Sequence, residues 1–122
     1  MIKVNIVCIG KIKESYLREA CAEYVKRLSR FCKLEIKELA EGKNLKEEAE
    51  AVLRAVKGYK IALCVEGRQL SSSALADRVK SLTDRGEEIT FIIGSSCGLD
   101  QSVKDECDLK LSFSEMTFPH QL

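Results

Sequence analysis

The chain has 122 residues, 45% of them hydrophobic and 32% charged, with a net charge of +1; this is the balance of one compact globular domain rather than a disordered or membrane-bound chain. It contains no apolar run near the roughly 18 residues of a membrane span, and the opening MIKVNIVCIG is unlike a secretory leader, so no membrane association and a cytoplasmic location are expected. Cys8, Cys21, Cys32, Cys64, Cys97 and Cys107 lie inside apolar segments with no C-x-x-C pair, which predicts buried reduced thiols rather than a metal site or a disulfide framework.

The first segment, IKVNIVCIG, is rich in β-branched residues and stops at Gly10, as a strand entering a turn does. Over residues 13–31 the apolar side chains Tyr16, Leu17, Ala20, Cys21, Tyr24, Val25, Leu28 and Phe31 recur at three- and four-residue steps, predicting a helix with one buried face. Charges occupy its other face. Residues 1–40 carry nine Lys/Arg against five Glu, a surplus of +4 that leaves −3 for the remainder. The surplus lies in Lys11, Lys13, Arg18, Lys26, Arg27, Arg30 and Lys33. Two readings fit it, an attachment point for an RNA backbone and an ordinary solvated helix face.

Residues 34–39, LEIKEL, alternate as a half-exposed second strand, and Glu41-Gly42-Lys43-Asn44 breaks it. A second helix follows, striped by Leu45, Ala49, Val52, Leu53 and Val56 and closed near Gly58. YKIALCVEG, residues 59–67, is almost continuously apolar, which predicts a strand covered on both faces. Ser71, Ser72 and Ser73 offer N-cap oxygens to a third helix bearing Leu75, Ala76, Val79 and Leu82, with Gly86 beyond its end. ITFIIG is the fourth strand, residues 99–107 a short helical piece, LKLSF the fifth strand, and SEMTFPHQL irregular. The order βαβαβαβαβ predicts an α/β fold, a mainly parallel sheet covered by helices with right-handed crossovers.

In open α/β sheets ligands bind outside the carboxyl ends of the strands. Three such ends carry unusual loops here: Val65-Glu66-Gly67, residues 94–98, and residues 112–120. Gly94 and Gly98 would let a ligand approach the backbone closely, although a plain strand-to-helix turn has the same pattern. The last loop keeps Phe113, Met116 and Phe118 among Ser114, Glu115, Thr117 and Pro119, fitting neither helical nor strand periodicity. Such residues either line a ligand pocket or plug the sheet edge. His120, the only histidine, is a candidate base or RNA ligand, with a structural role as the alternative.

The segments VNIVCIGKIKESYLREACAEYVKRLSRFCKLEIKEL, IALCVEG, FIIGSSCGL and above all LSFSEMTFPHQL resemble the ribosomal RNA large subunit methyltransferase H family, from end to end of the chain. The resemblance implies a single SPOUT methyltransferase domain over residues 1–122, with an α/β-knot fold. It also implies a homodimer, S-adenosyl-L-methionine as methyl donor, and N3 of pseudouridine 1915 in helix 69 of 23S rRNA, within the assembled ribosome, as acceptor. Carried onto matching positions, the cofactor-binding residues are Leu63, Gly94, Phe113, Ser114, Glu115, Met116, Thr117 and Phe118. The family has a second glycine after Gly94 where this chain has Ser95, which adds a Cβ to the turn. It also continues past the His-Gln-Leu with a basic amphipathic helix and a short tail that complete the knot, so the knot is expected to be incomplete within these 122 residues.

Methyl transfer from a sulfonium to a ring nitrogen needs in-line positioning and departure of the N3 proton. Glu66, Glu115 and His120 are the titratable side chains of the three loops, and none is marked as the base by its pattern; the catalytic residue is left unassigned. The competing reading from another class is a non-catalytic α/β module that binds a nucleotide or a protein partner at the same crevice.

Overall fold

The alternation of β-branched strands and amphipathic helices folds as the pattern demands. The computed structural model describes residues 1–122. It contains β1 (Ile2–Ile9), α1 (Ser15–Leu28), β2 (Cys32–Leu39), α2 (Leu45–Ala55), β3 (Tyr59–Gln69), α3 (Ser72–Asp84), β4 (Ile89–Ile93), α4 (Gln101–Glu106) and β5 (Leu109–Ser112). Local caps fix the helix starts: Asn44 accepts from Glu47 N, Ser71 from Ala74 N, and Asp100 from Ser102 N.

The five strands form one sheet in the order β2-β1-β4-β3-β5, and every strand pair is parallel. The chain steps in one direction across the sheet from β1 to β2 and from β3 to β4, and in the opposite direction in the other two crossovers. Right-handed connections therefore put α1 and α3 on one face and α2 and α4 on the other.

The two faces are packed differently. On one, Ala49 and Val52 of α2 and Val103 of α4 close over Val7, Ile9, Ala62 and Ile92, together with Leu99. On the other, α3 brings Leu82, with Leu75 and Val79, onto Ile61, Ile89, Leu109 and Leu111. The α1 side of that face stays uncovered. No residue of α1 is buried, and its main contacts are with the edge strand β2. The face predicted to be its core side is exposed at Tyr16 (66%) and Tyr24 (61%), and Phe31 just beyond the helix reaches 72%. Periodicity identified the apolar stripe correctly, but α1 lies at the sheet margin beside β2 and leaves that stripe exposed.

Smaller departures have local causes. β2 begins two residues earlier than its alternation suggests because Cys32 pairs with Ile2. Leu53, part of the predicted stripe of α2, turns away from the sheet. Of the six cysteines only Cys32 is buried, and Cys97 is exposed on the loop after β4, so the expectation of six buried thiols fails there. No helix is long and apolar enough to cross a membrane.

Candidate functional site

Because β4, β3 and β5 are neighbours, their carboxyl ends bring the segments containing Leu63, Gly94 and residues 113–118 to one edge of the sheet. Leu63 is half-buried against the core under α3 and pairs with Leu111 of β5. Immediately beyond it the register slips, so that Leu111 also faces Arg68 and residues 64–67 bulge out of the ladder. The sequence read Val65-Glu66-Gly67 as the end of the strand. In the structure pairing resumes after it at Arg68 and Gln69, and a Cβ on Gly67 would lie 2.8 Å from the Leu111 carbonyl carbon and the Lys110 oxygen. A close crossing of two backbones explains this glycine.

The turn after β4 is held by its own atoms. Gly98 N donates to Ser95 O at 2.8 Å, and a Cβ on Gly94 would stand 2.5 Å from Gly98 O and 3.0 Å from the Leu99 side chain. The need for glycine at 94 is therefore an internal clash first, ahead of any ligand. Gly98 is required for a different reason, its left-handed φ of +84°.

Ser95, the departure from the family pattern, is 7% exposed and donates through Oγ to Oε1 of Glu48 at 3.2 Å. Its Oγ also accepts from Cys97 N at 3.3 Å. Glu48, likewise 7% exposed, takes a second hydrogen bond from Gly42 N at 3.1 Å through Oε2. Sequence reasoning missed Glu48. A signal was present: it stands three residues after Leu45 and four before Val52, an acidic side chain inside the apolar stripe of α2.

The loop after β5 is braced by Ser112 Oγ donating to Ser114 O at 2.8 Å and by Met116 N donating to Ser114 Oγ at 3.0 Å. Phe113 and Met116 are 70% and 72% exposed, and Phe118, Glu115 and Thr117 are also exposed. These apolar side chains do not plug the sheet edge. The three segments share one edge and leave its apolar side chains open to solvent. An apolar cleft of about 620 Å³ lies instead at the amino end, between Ile2, Phe31 and Leu75, Ala76 and Val79 of α3.

Among the titratable groups, Glu66 receives a hydrogen bond from Lys104 Nζ, which holds its carboxyl below the usual carboxylate range and weakens it as a base. His120 is half-buried in the final turn, where Leu122 N donates to Pro119 O. Burial raises the thiols of Cys8 and Cys64 and pushes Cys107 up to about 11, so all three are protonated and poorly nucleophilic near neutrality.

The chain matches the family model described as "Predicted SPOUT methyltransferase" over residues 2–122. It is similar to the protein named ribosomal RNA large subunit methyltransferase H of Streptococcus equi subsp. zooepidemicus, at 40% identity over 99% of this chain and 86% of that protein. The protein of the same name from Caldicellulosiruptor saccharolyticus is 44% identical over 98% of this chain and 84% of its own. A Methanococcus maripaludis protein named putative ribosomal RNA large subunit methyltransferase H is 42% identical over 99% and 86%.

Proposed function

The chain belongs to the SPOUT methyltransferase family, and from that premise we propose that it methylates large-subunit ribosomal RNA, transferring the methyl group of S-adenosyl-L-methionine to N3 of pseudouridine 1915 in helix 69 of 23S rRNA. The observation that carries the reading is the meeting of the carboxyl ends of β3, β4 and β5 at one sheet edge, which brings together the three segments singled out for the cofactor. The residues there suit such a ligand. Phe113, Met116 and Phe118 offer exposed apolar surface, and Ser114 and Thr117 add hydroxyls.

When bound, the cofactor supplies a methyl group already activated by the sulfonium. The protein's work is then orientation and exclusion of water. On this reading Gly94 and its turn form the floor of the site, Leu63 its apolar wall, and the loop from Phe113 to Phe118 the side that folds over the ligand. Glu115 contributes negative charge beside the sulfonium. Glu66, engaged by Lys104, is the poorest candidate to accept the N3 proton.

The protein is proposed to act in the cytoplasm on assembled ribosomes and as a homodimer. The uncovered apolar side of α1 and the open cleft beside α3 support a second subunit. The basic end of α1 supports RNA attachment, since Lys26, Arg27 and Arg30 are exposed.

The test is incubation of ribosomes lacking the modification with methyl-labelled S-adenosyl-L-methionine, followed by mass spectrometry of the digested rRNA. Methyl transfer to N3 of the pseudouridine is expected. A folded protein that neither labels rRNA nor gains thermal stability from the cofactor would be a binding module. Reversing Lys26, Arg27 and Arg30 to Glu should weaken ribosome association and reduce the slope of log K against log salt by about 2, leaving cofactor affinity unchanged.

A further inference from the structure

Glu48 is an acidic side chain inside the α2/α4 core layer, and its position has no counterpart in the reading of the site given above. It is flanked in sequence by the core residue Ala49 and makes no ion pair. A buried carboxyl without a cation is costly unless its oxygens are hydrogen-bonded, and both are. One takes Ser95 Oγ, in the turn after β4; the other takes Gly42 N, in the loop after β2. Ser95 Oγ then accepts from Cys97 N, extending the chain of contacts through the turn. Two loops at the carboxyl edge, on strands separated by β1, are thus tied to a single side chain on the first turn of α2.

The pair also accounts for the serine. A residue at 95 with a side chain fits the turn only if that side chain has a place to go, and Ser95 is directed into the layer below, where Glu48 receives it. The hydroxyl satisfies the carboxyl, and the carboxyl in turn fixes the orientation of the turn that contains Gly94.

We propose that Glu48 is a positioning residue for the cofactor site: through Ser95 it sets the conformation of the 94–98 turn, and through Gly42 it couples that turn to the loop after β2. This rests on the reading of Gly94 as part of the cofactor site. Its first consequence, order in the turn, holds in the free protein and is measured separately.

Two measurements decide it, on wild type, Glu48→Ala, Ser95→Ala, the double variant and Glu48→Gln. Amide hydrogen exchange without ligand should accelerate about tenfold or more at residues 95–98 in Glu48→Ala, with exchange in β3 and β5 unchanged. Calorimetric titration with S-adenosyl-L-methionine should show about tenfold weaker binding for either alanine variant and little further loss in the double variant. Glu48→Gln keeps one acceptor oxygen and should recover part of both effects. Unchanged exchange in the turn overturns the positioning role whatever the cofactor does. A folded Glu48→Ala with wild-type affinity, or fully additive losses in the double variant, overturns the link to the site. Absence of binding by the wild type refutes the cofactor reading instead, and the exchange data still judge the turn. If Glu48→Ala fails to fold, Ser95→Ala and Glu48→Gln carry the same comparison.

Discussion

The two faces of the sheet are built from helices of similar pattern and end in different states. On the α2/α4 face, Val7, Val52 and Val103 are each 1% exposed and Ile92 is fully buried. On the α1/α3 face, α3 buries Leu82, whereas α1 buries nothing and leaves Tyr16, Tyr24 and Leu28 open. An amphipathic stripe records that a helix face needs cover. It does not record whether the cover is the same chain's sheet or another surface. The difference also separates roles. The closed face anchors the turn after β4, since Leu99 and Glu48 belong to that layer, and the open face leaves basic and aromatic side chains exposed.

The contrast is broken most directly by trimming both faces. Ile92→Ala, in the closed layer, should cost about 2–5 kcal/mol, read as a lower urea midpoint with unchanged slope. Leu28→Ala, 42% exposed on α1, should stay within about 0.5 kcal/mol at low protein concentration. If the two losses are equal in dilute solution, the open face is covered within the monomer and the distinction disappears. If the Leu28→Ala loss appears only at high concentration, a second subunit provides the cover.

A smaller effect sharpens the account of the turn anchored in the closed layer. Gly94→Ala forces a Cβ against Gly98 O and should cost about 1–3 kcal/mol, with cofactor binding impaired because the turn must open. Gly98→Ala meets no atom within 4 Å and should cost only the left-handed backbone strain, roughly 1–2 kcal/mol. Circular dichroism, thermal melts and titration of both variants make the comparison. A Gly94→Ala protein with wild-type affinity would show that the turn's shape is irrelevant to binding.

The smallest effect concerns how α4 is fastened to the β3 bulge by Lys104 and Glu66. Glu66 titrates below its ordinary value of 4.5 because Lys104 donates to it. Its pairing therefore stabilises the folded state fully above that pH and is lost as pH falls through the lowered folded value. Glu66 is exposed, so Lys104→Met should cost less than about 1 kcal/mol near neutrality. The gap between wild type and variant should narrow in acid. Urea melts at about pH 7 and about pH 3 check the sign; a gap that widens in acid would mean that the contact does not depend on the carboxylate.

The sequence by itself determined the order of elements, the parallel sheet and the family, because strand and helix periodicities and the SFSEMTFPHQL segment are local properties of the chain. It also marked two of the strand ends at the carboxyl edge, at Gly94 and at residues 112–120, whereas Val65-Glu66-Gly67 proved to be a bulge within β3. Tertiary structure alone decided the rest. The strand order that sets β4, β3 and β5 side by side depends on crossovers with no local signature. The slip between Leu63 and Arg68 depends on how closely β5 passes Gly67. The reason for Gly94 is the carbonyl of Gly98 four residues later, and the partner of Ser95 is Glu48, 47 positions away. Contacts between distant segments are fixed by packing and hydrogen-bond satisfaction in three dimensions, and a one-dimensional pattern carries only half of each pair.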